Sequence, residues 1–585
     1  MQHTPALHAD SLTKRARWFF LFMCCLFIAV TIRLGYWQII RGHELSMVAE
    51  DQYSRSITRS GKRGEIYTTD GHVLVTNEQV YRLFAQPNIL VDPPDTVAKQ
   101  LASLLVEPAS TSADTKDSLF AITSSIAKQL NEDKAWVNLR FTVSEDTKRT
   151  IENLRIKGIG FDPFDKRSYP EASMAAHVLG FVGKNEQGQD LGYFGLEGSL
   201  EKELKARSLT NTVLIDTLGS LVQADGSFSN AVLDGRSVTT TLRRDVQHLA
   251  ESQLKAGMEQ YGARAGEIII MEPTTGKILG LASFPNYDPT KFYAANPELY
   301  KNPSLTTLYE PGSTFKVLTV AAAIDAGVIS RNTECTKCSG PREFGKYTIR
   351  TWNDSYNPGI SMEQALAKSD NTAMIFDSEL LGEDRFKTYL ENFQIGKPIA
   401  IELQEDTSTP FPNRWGPVEL ATISFGQGIT TNSLQMLRAI AAIANRGALM
   451  RPQIIEKVSD PLSGEMIENR PQVVTQVVSP QTAATVTDML VTAAKSGEAQ
   501  WIASRTHSVA GKTGTAQIPI EGGYAEDRTI ASFVGFAPPH DPKFIMLVKL
   551  VEPTTSPWAA ETAAPLWYKV ADKLYLLLNI PPDIP

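Results

Sequence analysis

The chain has 585 residues, is 42% hydrophobic and 21% charged, and carries a formal net charge of −8. That length requires more than one domain, and the composition excludes wholesale disorder. The acidic balance excludes nucleic acid as the main partner, because no broad basic field is present to neutralise phosphates. There is no glycine-rich phosphate loop and no His/acidic cluster with metal-ligand spacing, so neither a cofactor nor a metal is expected.

The first element is apolar. "FFLFMCCLFIAVTI", Phe19 to Ile32, carries no charge, and the run from Trp18 to Ile40 holds a single arginine, Arg33, near its outer end. This matches the ~20 residues a helix needs to cross a bilayer. Lys14, Arg15 and Arg17 precede the span and keep the N-terminus cytoplasmic, which puts the rest of the chain outside. No small-x-small cleavage site follows, so a retained single-pass anchor in the cell (inner or plasma) membrane is expected rather than a signal peptide. Next, "SRSGKRGEIYTTDGHVLVTN" alternates around Asp70-Gly71 and predicts a hairpin. Residues 91–160 contain amphipathic helical segments such as "DSLFAITSSIAKQL" and no catalytic cluster. The lone His177 in "RSYPEASMAAHVLGFVG" is assigned to packing or hydrogen bonding. Residues 205–235 read as strands and turns that lead to a domain boundary.

From Ser237 the pattern changes. "SVTTTLRRDVQHLAESQLKAGMEQYGA" predicts a strand and an amphipathic helix, and "GEIIIMEPTTGKILGLAS" a strand, a turn and a strand. A mainly helical section covers about 311–500. "HSVAGKTGTAQ", "RTIASFVGFAPP" and "KFIMLVKLVE" predict three consecutive strands before a final helix, "WAAETAAPLWYKVADKLYLLLNI". A sheet drawn from both ends of a segment, with helices inserted between its strands, is an α+β architecture. Catalytic candidates are expected where sheet and helical lobe meet. Cys335 and Cys338 form C-x-x-C outside the membrane. With no second ligand pair for zinc, a short-loop disulfide is expected there.

Ser-x-x-Lys occurs five times, beginning at Ser11, Ser125, Ser199, Ser252 and Ser313, and alone carries nothing. Ser313-Thr-Phe-Lys316 differs in being followed by Ser369-Asp370-Asn371 and by a single Lys512-Thr513-Gly514 on a predicted strand. Those three elements in that order are the signature of acyl-serine enzymes of the β-lactamase and penicillin-binding type. The pattern predicts a helix from Ser313 to Ala326 that closes at Gly327 and sets the hydroxyl and amine on one face. Ser313 attacks a carbonyl carbon once a base takes its proton. Lys316 is that base if burial and a second cation, Lys512, keep it neutral. Ser369 relays the proton to the departing amine, and Asn371 bonds the substrate amide. Lys512, Thr513 and Thr515, with Gly514 between them, suit a terminal carboxylate, and the backbone N–H groups of Ser313 and Thr515 suit an oxyanion hole. The competing readings are a surface lysine for Lys512 and a helix cap for Ser369.

The chain resembles a class B penicillin-binding protein, a monofunctional peptidoglycan D,D-transpeptidase, along nearly all its length. Besides the three motifs, the likeness is carried by "RGEIYTTDG", "RSYPEASMAAHVLGFVG", "GLEGSLEKEL", "LASFPNYDP", "SFGQGITTNSLQM" and "AIANRGALMRP". The first of these departs from the family's Asp-Arg-Asn-Gly form, with Thr68-Thr69-Asp70-Gly71 in its place. The resemblance implies a cytoplasmic tail over 1–17, a transmembrane helix over 18–40, a pedestal (dimerisation-type) domain over 41–235 and a transpeptidase domain over 236–585. It implies D-Ala-D-Ala stem peptides as substrate, β-lactams as covalent inhibitors, and division or elongation proteins as partners. No glycosyltransferase domain fits before the pedestal and no wall-binding module follows the last helix, so a separate glycosyltransferase is expected. The rivals are a D,D-carboxypeptidase or β-lactamase-type hydrolase and a non-catalytic anchored scaffold. A hydrolase needs a base for its water, and none of Glu379, Glu383, Glu402, Glu405 and Glu419 stands in a context that assigns it that role.

Overall fold

The computed structural model describes residues 9–106, 112–215, 221–223, 233–406, 410, 414–521 and 523–584. The chain divides into two compact units, Met1–Gly61 with Ala206–Asp234, and Lys62–Lys205 with Gly235–Pro585. The first opens with a helix, Ala9–Gly35, that continues through a π-helical turn, Tyr36–Ile40. Its stretch Thr13–Ile40 is long and apolar enough to cross a membrane, and large apolar side chains along it are exposed. A helix, Gly42–Tyr53, follows. A three-stranded antiparallel sheet completes this unit, with Ser208–Ile215 between Ser54–Ser60 and Leu221–Gln223. Of the strands and turns expected over 205–235, the stretches 216–220 and 224–232 lie outside the described residues.

The second unit contains two large sheets. One runs in the order Met466–Glu468, Ile455–Ser459, Ser237–Thr240, Ile66–Tyr67, Val73–Ala85, Val137–Val143, and Ile159–Ser168 also pairs with Val73–Ala85. The expected hairpin is present: Ile66–Tyr67 and Val73–Ala85 are antiparallel, and Gly71 takes φ +82° in the turn, a region that favours glycine. Ile66–Tyr67 pairs parallel with Ser237–Thr240. The helix Pro94–Leu105 buries Val97, Leu101 and Leu105, one stripe at a spacing of four, as its amphipathic pattern requires.

Three of the stretches that carried the resemblance converge on one buried ion cluster. Arg63, in "RGEIY", donates from Nε to Glu197 Oε2 at 2.6 Å and from Nη1 to Glu201 Oε2 at 2.7 Å. Arg167, in "RSYP", donates from Nε to Glu197 Oε1 at 2.7 Å. The fully buried Glu197 thus sits between two guanidiniums, and Asn77 Nδ2 donates to the carbonyl of Arg63. His177 is the packing residue expected. Its ring meets Tyr287 edge-on, Nε2 bonds Leu299 O at 2.9 Å, and burial lowers its pKa to about 4.

The second sheet is antiparallel, in the order Ile278–Phe284, Ala265–Met271, Phe544–Val551, Gly523–Ala537, Ala510–Ile520. Side chains alternate between two cores. Ile268, Ile270, Met546 and Val548 face the helices Arg244–Tyr261 and Ala563–Leu577. Ile269, Met271, Ile545 and Leu547 face a lobe that includes Lys316–Asp325, Asn371–Leu381, Ser433–Ala444 and Pro480–Ser496. This is the α+β arrangement read from the sequence, with helices on one face and the inserted lobe on the other. On the lobe side Glu267 lies opposite Lys549, paired at 2.6 Å and buried. The Lys549 ammonium lies 4.5 Å from the Tyr309 ring, four residues before Ser313. Cys335 and Cys338 are disulfide-bonded and buried, with Cα atoms 5.6 Å apart.

Candidate active site

The stretch before Ser313 folds more tightly than the expected helix. Gly312–Thr314 is a 3-10 turn, and the α-helix begins at Lys316 and ends at Asp325. Residues i and i+3 are eclipsed in a 3-10 turn, so Ser313 and Lys316 keep the same side. The turn is pressed against the Lys-Thr-Gly strand. A Cβ on Gly514 would come within 2.8 Å of Thr314 Cγ2 and 2.7 Å of Ser532 Oγ. Gly514 is therefore the residue that allows the strand to approach the serine.

Lys316 is completely buried. Its Nζ donates to Ser369 O at 2.6 Å and to Ser369 Oγ at 3.1 Å. Burial and then the Lys512 charge lower its pKa to about 7, against smaller opposing effects of Glu498 and Asp370. Ser369 has φ +57°, the left-handed region that non-glycine residues rarely adopt. That turn ends the helix Met362–Ala367 and aims both Ser369 oxygens at Lys316. The helix-cap role weighed for Ser369 falls to Asp370, whose Oδ1 accepts from Thr372 N at 2.8 Å and Ala373 N at 3.2 Å. Asn371 opens the next helix, and its Nδ2 donates to Arg350 O at 2.9 Å, which fixes the amide and turns its oxygen away from that bond.

Lys512 is buried rather than on the surface, and burial lowers its pKa. Its Nζ donates to Thr513 O at 3.2 Å and Thr513 Oγ1 at 3.1 Å. Thr515 Oγ1 accepts from Ala559 N at 3.0 Å, which leaves its own proton free to donate. The cleft thus gathers a helix start, a left-handed turn and a strand, each contributing one motif.

Each of the five glutamates considered for a hydrolytic base is engaged away from the lysines. Glu379 pairs with Lys337 and Arg342, and Glu383 with Lys387. Glu402 pairs with Arg451 and accepts from Ile454 N. Glu405 accepts from Gly195 N, and Glu419 from Gly416 N. A carboxylate outside the motifs, Glu498, does reach them, accepting from Thr513 Oγ1 at 2.8 Å. Sequence reasoning missed it, since an isolated glutamate after a helix carries no signal. It also missed Trp352 and Trp558, both half-exposed, whose rings meet at 5.4 Å. Trp352 Nε1 donates to Lys368 O beside Ser369, and Trp558 precedes Ala559, so the pair joins two rims of the cleft.

Residues 266–572 match the model of the penicillin binding protein transpeptidase domain, and residues 58–240 that of the penicillin-binding protein dimerisation domain. The chain is 30% identical to stage V sporulation protein D of Bacillus subtilis, across 96% of this chain and 85% of that one. It is 28% identical to the probable peptidoglycan D,D-transpeptidase PenA of Neisseria meningitidis, across 96% of this chain and 92% of that one. Among solved structures, penicillin binding protein 2X of Streptococcus thermophilus superposes with a TM-score of 0.72 at 26% identity, covering 90% of this chain and 81% of that one. Penicillin binding protein 3 of Mycobacterium tuberculosis, complexed with ampicillin, shares the fold at a TM-score of 0.68 and 23% identity, covering 90% of this chain and 97% of that one.

Proposed function

The chain belongs to the class B penicillin-binding proteins, and on that premise we propose that it is a peptidoglycan D,D-transpeptidase acylated on Ser313. The observation that carries the assignment is the buried Lys316 amine, bonded to Ser369 and held near pKa 7 beside Lys512. A lysine in that state takes the Ser313 Oγ proton at neutral pH. Oγ then bonds to the carbonyl carbon of the penultimate D-Ala while the oxygen, now anionic, rests on the Ser313 and Thr515 N–H groups. The bond to the terminal D-Ala nitrogen breaks, and the proton passes from Lys316 through Ser369 Oγ to that leaving amine. A stem-peptide amine next attacks the ester and returns a proton to Ser313. Asn371 Oδ1 receives the donor's amide N–H. Lys512, Thr513 and Thr515 receive its terminal carboxylate across the space that Gly514 leaves open. A β-lactam follows the same first half and stays attached.

Residues 41–235 act as pedestal and 236–585 as catalytic domain, a division supported by the two family matches. The helix over residues 18–40 anchors the chain once in the cell membrane with the catalytic domain outside. The basic residues before it support that orientation. Glycan polymerisation falls to a separate glycosyltransferase, working with division or elongation proteins. Mass spectrometry over hours after one equivalent of penicillin tests the assignment. One stable penicilloyl adduct is expected on the wild type and none on Ser313→Ala. Rapid multiple turnover of the drug would show a hydrolase instead.

A further inference from the structure

Glu498 follows the helix Pro480–Ser496 and belongs to none of the three motifs. Its Oε2 accepts the hydrogen bond of Thr513 Oγ1 at 2.8 Å, while Thr513 Oγ1 accepts from Lys512 Nζ at 3.1 Å. A threonine hydroxyl has one proton, and here it is committed to Glu498. The Glu498 charge is also felt at both lysines, where it raises the pKa against the effect of burial.

A carboxylate in this position conflicts with a seat for a carboxylate. An ionised donor terminus offers only acceptors, so it needs the Thr513 proton that Glu498 holds. Its negative charge would also face that of Glu498 across a single hydroxyl, a like-charge approach that disfavours both. Yet without Glu498, two lysines would lie buried together with no carboxylate at the strand, an arrangement costly to the empty cleft.

We propose that Glu498 is a built-in surrogate for the donor's carboxylate: it holds Thr513 in the empty cleft and competes with anionic acyl donors for it. The inference rests on Lys512 and Thr513 being the carboxylate seat. In the empty cleft, Glu498 keeps Thr513 and Lys512 aligned. When a donor binds, its carboxylate takes the Thr513 proton and Glu498 swings to its solvent side, where it is half-exposed. Glu498 is thus a positioning and specificity-setting residue that weakens capture of the donor and leaves acyl transfer to Ser313 and Lys316.

The test uses the detergent-solubilised full chain and compares acylation by benzylpenicillin and by its methyl ester, which lacks the charge. Failure of the wild type to acylate at all would remove the transpeptidase reading itself and is recognised before any variant is made. With an active wild type, Glu498→Gln should raise the preference for the carboxylate over the ester by about tenfold. The gain should lie in the half-saturating concentration rather than the limiting rate. The acid limb of the pH profile should also move to lower pH, because the charge that raises the Lys316 pKa is gone. An unchanged or reduced preference, or an unmoved limb, overturns the proposal. Should Glu498→Gln fail to fold, Glu498→Asp carries the test. Its shorter arm releases Thr513, so the preference must still rise, and a preference equal to that of the wild type overturns the proposal.

Discussion

Two buried clusters of charge lie in the same compact unit and are built on opposite terms. At the pedestal, Glu197 is completely buried and each of its oxygens meets a guanidinium, Arg63 on one side and Arg167 on the other. In the cleft, Lys316 and Lys512 are just as buried, but their hydrogen bonds go to carbonyl and hydroxyl oxygens, not to carboxylates. Compensation pairs every charge at the centre of the first cluster, which suits a clamp on three distant stretches of chain. Under-compensation leaves the second close to losing a proton, which suits a base. Burial is common to both; the partner decides between rigidity and reactivity.

Replacing each cluster's central residue should therefore give opposite results. Lys316→Met should abolish penicillin acylation and yet stabilise the fold. The lysine's folded pKa lies near 7, below its unfolded value, so the fold loses stability as pH falls from the unfolded pKa to about 7 and stays low beneath it. Removing the amine should raise stability below pH 7 by up to about 5 kcal/mol, with the gain fading toward high pH. Denaturant melts at pH 6 and pH 10 check this, and equal stability at the two pH values for wild type and variant would break the comparison. In the wild type, acylation should fall about tenfold per pH unit below 7, as the neutral amine is titrated away.

Glu197→Gln should do the reverse. It leaves two buried guanidiniums facing an amide and should cost about 3–5 kcal/mol, the range for breaking a buried pair. Chemical denaturation reads the loss, and the rate of acylation by penicillin in the folded fraction should stay near that of the wild type. A loss under 1 kcal/mol would mean the guanidiniums find other partners.

Glu405 is the intermediate case, buried and bonded to Gly195 N but facing no cation at hydrogen-bond range among the described residues, and burial raises its pKa to about 7. A carboxyl with a raised folded pKa costs nothing below its unfolded value and an increasing amount as pH climbs to 7. Glu405→Gln keeps an acceptor for Gly195 and removes that cost, so stability at pH 8 relative to pH 4 should improve by about 1–2 kcal/mol. Paired melts at the two pH values decide it, and no pH-dependent gain would mean the ionised form is well accommodated.

The sequence made one of these clusters much easier to read than the other. Ser313, Lys316, Ser369, Asn371 and Lys512 stand in short patterns whose order and spacing reflect the local turns that present them, so the cleft was legible from local chemistry. The strands Ala265–Met271 and Phe544–Val551 were legible too, as apolar runs bounded by turn residues. Four things were not. The start of the α-helix at Lys316 depends on the Gly312 turn being gripped by the neighbouring strand, a tertiary effect. Glu498 and the Trp352–Trp558 contact are each made across the fold, and neither partner marks the other in the chain. The Arg63–Glu197–Arg167 cluster was visible as three separate stretches, but nothing local states that they converge.

The sheet that joins Ile66–Tyr67 to Ser237–Thr240, and Ser237–Thr240 to Ile455–Ser459, has a consequence for the order in which the protein is made. A chain delivered from its N-terminus presents Ile66–Tyr67 and Val73–Ala85 early and Ile455–Ser459 late. Until the late strand emerges, Ser237–Thr240 keeps one open edge, the kind of unpaired backbone that recruits foreign strands. The first half of the molecule is thus a template awaiting its closing strand. A nascent chain halted between Thr240 and Ile455 is the form most in need of a chaperone.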